Sequence, residues 1–166
     1  MLEAAVEPML RVRSALRKEL AGLEKLVRQM ASKDQVCLRL MTMPGVGAVV
    51  ALTYRSAVDD PSRFPSSKNV GPWVGLTPSR SQSGERDVSG GITKAGDVNL
   101  RRVLCQAATV MLNRGRSNTL RTWASRVAKR RGRKRAMVAL ARRIAVVLHR
   151  IWVDGTTFRM EGATIP

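Results

Sequence analysis

"LRLMTMPGVGAVVAL" (Leu38–Leu52) is the stretch on which the fold turns. An apolar helical segment meets Pro44, a Pro-Gly-Val-Gly turn follows, and an Ala/Val-rich segment starts a second helix. Proline cannot continue the first helix, and glycine tolerates the backbone angles of a tight reversal. The pattern is that of a helix-hairpin-helix. On that reading Gly45 and Gly47 leave bare N–H groups at the start of the next helix, where a phosphate can approach closely. A simple helical hairpin with no ligand fits the same residues.

Upstream, positions 2, 6, 9, 13, 16, 20, 23, 27 and 30 read Leu, Val, Met, Arg, Leu, Leu, Leu, Val, Met, with spacings of four and three residues in turn. Such spacing lays one apolar seam along a helix and suits a coiled coil or a long hairpin. An amphipathic helix packed on its own domain satisfies it too. Arg13 interrupts the seam, and the ladder begins at Met1 with no capping residue ahead of it. Ser32 with Gln35 resembles a capping box for the next helix.

Downstream, turns at Asp59-Asp60-Pro61 and Phe64-Pro65 precede a short apolar segment around Trp73, Val74 and Leu76. Helical apolar stripes then recur. One carries Leu100, Val103, Leu104, Ala107, Val110 and Met111. A second, capped by Ser117, carries Leu120, Trp123 and Val127. Gly132 breaks it, and a final helix carries Met137, Leu140, Ala141, Ile144, Val147, Leu148, Ile151 and Trp152. Stripes of this kind are core. The expected fold is mainly α with little strand: a linker helix over 1–35, a helical domain over 36–160 and a short tail over 161–166.

Charge is the outlying property. The 166 residues hold 30 Lys plus Arg against 12 Asp plus Glu, a net +18. Residues 101–150 contribute +15, and no acid falls between Asp97 and Asp154. A solvated helix face normally mixes signs, so a one-sign stretch of this density calls for a polyanion, with nucleic acid first. The cluster "KRRGRKR" (Lys129–Arg135) supplies Arg130, Arg131, Arg133, Lys134 and Arg135, while Arg101 and Arg102 sit beside an apolar stripe. The longest uncharged run, Leu40–Tyr54, is cut by the Pro-Gly-Val-Gly turn, so no membrane span is expected. Cys37 and Cys105 fall at apolar helical positions and read as reduced core residues of a cytoplasmic protein. With a single histidine, His149, they cannot build a zinc site.

One segment fits none of these helices. "SQSGERDVSGGITKAGD" (Ser81–Asp97) holds four hydroxyl residues and four glycines and reads as a long loop. A serine that attacks a phosphodiester needs an exposed hydroxyl on a turn, cations to hold the phosphate, and room for a backbone to approach. Ser83 before Gly84, with Arg80, Arg86 and Lys94 around it, meets that description, and so does an ordinary turn serine.

The run "VGPWVGLTPSRSQSGERDVSGGITKAGDVNLRRVLCQAA" (Val70–Ala108), with "RRGRKRAMVALARRIAVVLHRIWVDGTTF" (Arg130–Phe158) beyond it, closely resembles the C-terminal domain of the insertion-sequence transposases named after elements 110, 116 and 902, relatives of the Piv DNA invertase. The resemblance begins near the Pro-Gly-Val-Gly turn and covers about three quarters of the chain. It implies that the serine of the "QSG" motif, Ser83 here, is the nucleophile that joins a DNA 5′-phosphate. Where the family often has an aromatic residue two positions earlier, this chain has Ser81. The resemblance also implies an N-terminal RuvC-like domain with four acidic metal ligands, joined through a coiled coil. Residues 1–35 retain only the coiled-coil part, so a truncated transposase with no cofactor of its own is expected, magnesium belonging to the acidic domain. The implied partners are DNA, an element-encoded bridge RNA, and a second copy or a full-length transposase held through the N-terminal helix, in the bacterial cytoplasm at the nucleoid. A non-catalytic nucleic-acid-binding domain and an inhibitor of a full-length transposase remain open beside it.

Overall fold

The computed structural model describes the backbone of residues 2–83, 86–114 and 117–159, and the side chains of these except 2–4 and 80–89. Its elements are α1 (Leu2–Lys33), α2 (Gln35–Leu40), α3 (Ala48–Val58), α4 (Val70–Trp73), β1 (Pro78–Ser83), β2 (Arg86–Ile92), α5 (Val98–Arg114), α6 (Thr119–Arg131) and α7 (Arg133–Val153), with two short 3-10 turns at Pro61–Arg63 and Ser67–Asn69. The mainly helical expectation holds.

The centre of the molecule is α7. Its apolar residues recur every three or four positions, so Leu140, Ala141, Ile144, Ala145 and Leu148 share one face, and each is fully buried. α5, α6, α4 and α2 all pack against it. Alanines at 141 and 145 let neighbouring backbones come close, and Leu100, Leu104, Met111 and Leu120 fill the remaining volume. Tyr54 of α3 is buried in the same core, and its hydroxyl donates to the Ala145 carbonyl at 2.8 Å. Burial drives its pKa far above the ordinary tyrosine value.

Two helix starts differ from the sequence reading. α1 continues through Ser32, whose hydroxyl donates back to the Gln29 carbonyl, and the cap of α2 is Asp34. The Asp34 carboxylate accepts from the Val36 and Cys37 amides at 2.7 and 3.0 Å. Likewise Asn118, not Ser117, caps α6, accepting from the Arg121 amide at 2.9 Å. In both places an amide or carboxylate oxygen beside the hydroxyl reaches the free N–H groups of the first turn.

The N-terminal seam does not pack on its own domain. Along α1 the apolar residues stay open to solvent, with Met9 70%, Leu16 64% and Met30 63% exposed. The helix meets the core only at its end, where Ala31 is buried and Val27 half-buried. At 1.5 Å per residue it extends for about 48 Å.

The turn between α2 and α3 separates its two glycines. Gly45 has φ +84°, and a Cβ there would lie 2.6 Å from the Ala107 carbonyl oxygen of α5. Its lack of a side chain seats the turn on α5. Gly47 is exposed, extended (φ −101°, ψ −175°), and a Cβ there would meet nothing within 4 Å. It is the N-cap of α3 and provides no side-chain cap. Gly45→Ser is therefore expected to cost about 2–3 kcal/mol in urea unfolding, through the clash and the left-handed backbone. Gly47→Ser adds a capping hydroxyl and should be neutral or stabilising by up to about 0.5 kcal/mol. Equal losses at the two positions would contradict this division.

Candidate nucleic-acid interface

The hydroxyl-rich stretch is not an open loop. Pro78–Ser83 and Arg86–Ile92 pair as an antiparallel two-stranded sheet, in the register Pro78 with Ile92, Arg80 with Ser89, Ser81 with Val88, Gln82 with Asp87 and Ser83 with Arg86. The register shifts between Pro78 and Arg80, and the Ser79 hydroxyl in that irregularity donates to the Gly91 carbonyl at 3.0 Å. This hairpin is the little strand the fold contains among its described residues, and it replaces the long loop read from the sequence. Serine and glycine are poor strand formers, and the pairing is made by backbone hydrogen bonds. Ser83 ends β1 opposite Arg86. The side chains of Ser83, Arg80 and Arg86, and residues 84 and 85, lie outside the described residues.

At its base the hairpin closes one side of a groove of about 660 Å³. Pro78, Gly90, Gly91 and Ile92 line that side; Arg131, Lys134, Arg135 and Arg142 line the other. Lys134, Arg135, Val138 and Arg142 are spaced by one, three and four residues, which puts them on one stripe of α7 adjoining its buried stripe. A Cβ on Gly91 would meet nothing within 4 Å, so that strand presents bare backbone to the groove. Gly71 in α4 leaves room for the Arg142 stem, whose Cγ would lie 2.7 Å from a Cβ there.

Electrostatics makes this end of α7 unusual. Arg133, Lys134 and Arg135 occupy its first turn, which has no acid. The amino end of a helix carries partial positive charge, so each exposed cation there is unfavourable by roughly 0.3–1 kcal/mol at low salt, and an anion is favoured instead. The first turns of α5 and α6 have no acids either.

The remaining expected site residues are dispersed. Arg130 and Arg102 are exposed on α6 and α5. Arg133 donates to the Asn113 side chain. Lys94 is exposed on the connection from β2 to α5, with φ +57°. Arg101 donates to two backbone carbonyls, Val74 at 3.0 Å and Ala95 at 3.1 Å. Gly45 is half-buried with its Cβ position blocked by α5, and Gly47 is exposed with nothing within 4 Å of its Cβ position. The groove thus brings together Arg131, Lys134 and Arg135 and adds Arg142, which the sequence reading passed over. Its position seven residues after Arg135 was the available signal. Next to it, Arg143 turns the other way and stacks on Trp123, 3.8 Å from the ring centre. Burial, and then the neighbouring Arg142 charge, lower its pKa.

Among the described residues, the histidine and the two thiols are engaged within the fold. His149 is buried between the Ser67 hydroxyl, 2.9 Å from Nδ1, and the Pro61 carbonyl, 3.0 Å from Nε2. A carbonyl only accepts, so Nε2 carries the hydrogen and Nδ1 of the neutral ring accepts from Ser67. Burial pushes the Cys37 thiol up to about 11 and raises that of Cys105. Among the described residues no three His, Cys, Asp or Glu side chains are grouped to hold a metal ion, so these residues do not fit a divalent-cation site. No helix of the described residues is long and apolar enough to cross a membrane.

Comparison with known proteins places this architecture. The family described as "Transposase IS116/IS110/IS902 family" matches residues 37–124, from the first turn of α2 to the middle of α6. The chain is 32% identical over 138 residues to the transposase for insertion sequence element IS1111A of Coxiella burnetii, covering 82% of this chain and 38% of that protein. It is 30% identical over 143 residues to the transposase for insertion sequence element IS1328 of Yersinia enterocolitica, covering 85% and 43%. A transposase of Sinorhizobium fredii, named y4pF/y4sB and described as putative, is 30% identical over 144 residues, covering 85% and 37%. The chain therefore spans about two fifths of the length of the curated relatives it matches. With the family match extending over more than half of its residues, the chain belongs to the IS116/IS110/IS902 family of insertion-sequence transposases.

Proposed function

We propose that these residues form the serine-bearing domain of a DNA transposase, with Ser83 as nucleophile and the α7 groove as the track for the phosphate backbone. The observation that carries the reading is the groove itself. One wall is the base of the strand pair in which β1 ends at Ser83, and the other is lined by the exposed cations Arg131, Lys134, Arg135 and Arg142. In the proposed step the Ser83 hydroxyl oxygen attacks phosphorus, an Oγ–P bond forms and the P–O3′ bond breaks. The hydroxyl proton leaves serine and the departing 3′ oxygen gains one. One phosphodiester replaces another, so a different 3′-hydroxyl can reverse the step and rejoin the strand. Cations along the groove hold the phosphate and offset charge that builds in the transition state.

His149 is unsuited to take the serine proton, because both ring nitrogens already bond within the fold. The 166 residues alone are therefore expected to bind DNA without cleaving it efficiently. In an assembly with a longer relative, a covalent protein–DNA adduct should form at Ser83, and Ser83→Ala should abolish it while changing duplex affinity less than about twofold. Retention of adduct by Ser83→Ala would overturn the nucleophile.

Polyanion binding has its own signature. With roughly four to six phosphates neutralised, affinity for a duplex should fall about a hundred- to a thousandfold between roughly 50 and 200 mM salt. Fluorescence anisotropy across that range measures the slope, and a flat response would refute the groove as a phosphate track.

A second reading, a binding partner or inhibitor of a longer transposase, is favoured by α1, whose apolar seam is exposed from Val6 to Leu23. Either reading uses α1 to join another helix. Removing residues 1–25, which leaves Val27 and Ala31 in place, should lower the mass measured by light scattering. A full chain already monomeric at micromolar concentration would exclude self-association through α1.

A further inference from the structure

The hairpin is attached to the helical core by two short segments, one entering from α4 through Val74 and Thr77, the other leaving through Thr93 and Asp97 to α5. These two feet are unusually close. A Cβ on Gly75 would lie 2.2 Å from the Ala95 carbonyl oxygen, and one on Gly96 would lie 2.0 Å from the Trp73 carbonyl oxygen. Both glycines have positive φ, and no side chain fits at either position. Across the feet the Thr93 amide donates to Thr77 at 2.9 Å, and the Lys94 amide donates to Gly75 at 3.2 Å. Lys94 accepts a left-handed backbone, φ +57°, to make that bond.

Arg101 reaches over this junction from the first turn of α5. Its Nη1 donates to the Val74 carbonyl in one foot and the Ala95 carbonyl in the other, at 3.0 and 3.1 Å. Nη1 carries two hydrogens, one for each carbonyl. The Val74 carbonyl follows the last turn of α4, where carbonyls lack helical partners and a cation is favoured. Nearby, Asp97 secures the start of α5 by accepting from the Leu100 amide at 2.6 Å.

We infer that Arg101 is a positioning residue: it clamps the two feet of the hairpin together and so fixes the strand pair beside the cationic stripe of α7, contacting no phosphate itself. The clamp rests on the geometry alone. Its consequence, that Ser83 is held at a set place relative to a phosphate in the groove, rests on the nucleophile proposed above.

Two variants of the full chain separate this from its alternatives. Arg101→Ala removes the fork, and alanine suits a helix. Arg101→Lys keeps the charge on a shorter stem without the planar guanidinium. In both, hydrogen exchange at the Thr93 and Lys94 amides should quicken by about tenfold, while the α7 amides of Leu140, Ile144 and Leu148 stay as in the parent. The salt slope for duplex binding should not change in either variant. Unchanged exchange at Thr93 and Lys94 would overturn the clamp. Exchange that quickens equally in α7 would overturn it in favour of a general stabilising role. A slope reduced by about 0.9 in Arg101→Ala and kept in Arg101→Lys would make Arg101 a phosphate contact instead. None of these readouts involves Ser83 chemistry, so a chain that forms no adduct leaves the clamp result standing.

Discussion

Everything in this molecule leans on the buried face of α7. Leu140, Ala141, Ile144, Ala145 and Leu148 are sealed from solvent along one side of a single 21-residue helix, and α2, α4, α5 and α6 pack on it. Burying side chains of this size is worth roughly 1.5–3 kcal/mol each for the larger ones, which makes the helix position rigid. The same helix has Lys134, Arg135 and Arg142 on a stripe adjoining that core. A cation one or two positions off an apolar stripe cannot turn away from its place without turning the core with it. The groove is therefore as well defined as the packing that supports it.

Against that rigid helix stands a hairpin of a different physical kind. Its strands have few apolar side chains, and it is held by backbone pairing, by two glycines that let the feet touch, and by carbonyl bonds to Arg101. Two-stranded hairpins are marginal alone in water, so the junction is where its direction from the core is set. On the function proposed above, this root is what sets the direction of the strand that ends in Ser83.

The third feature is a charge distribution that the fold does not balance. Fifteen cations over residues 101–150 with no acid among them raise the self-repulsion of α5, α6 and α7, and three of them oppose the dipole of α7. A few are absorbed internally, Arg143 on Trp123, Arg133 on Asn113 and Arg101 on carbonyls. Those lining the groove, Arg131, Lys134, Arg135 and Arg142, have no acid on the same helices, and they are the cations that the proposed phosphate track would use.

Sequence alone determined the helical class, the apolar stripes of α5 (apart from Val110, which is exposed), α6 and α7, the break at Gly132, the apolar seam of α1 and the strong positive charge. These follow from periodicity and composition, which act over one turn of helix or over the whole charge of the chain. The family resemblance lay in the same letters, around Ser83. The tertiary structure decided what local patterns could not. It left the α1 seam open, because only its last turns reach α3. It set Gly45 against α5 and left Gly47 exposed, because α5, distant in sequence, lies where a side chain on Gly45 would have to go and not where one on Gly47 would. It made a strand pair of a serine-glycine stretch, since backbone pairing leaves no mark in side-chain alternation. It also sorted arginines that look alike in the sequence, because whether a guanidinium faces a groove or a carbonyl depends on which backbone the fold brings beside it.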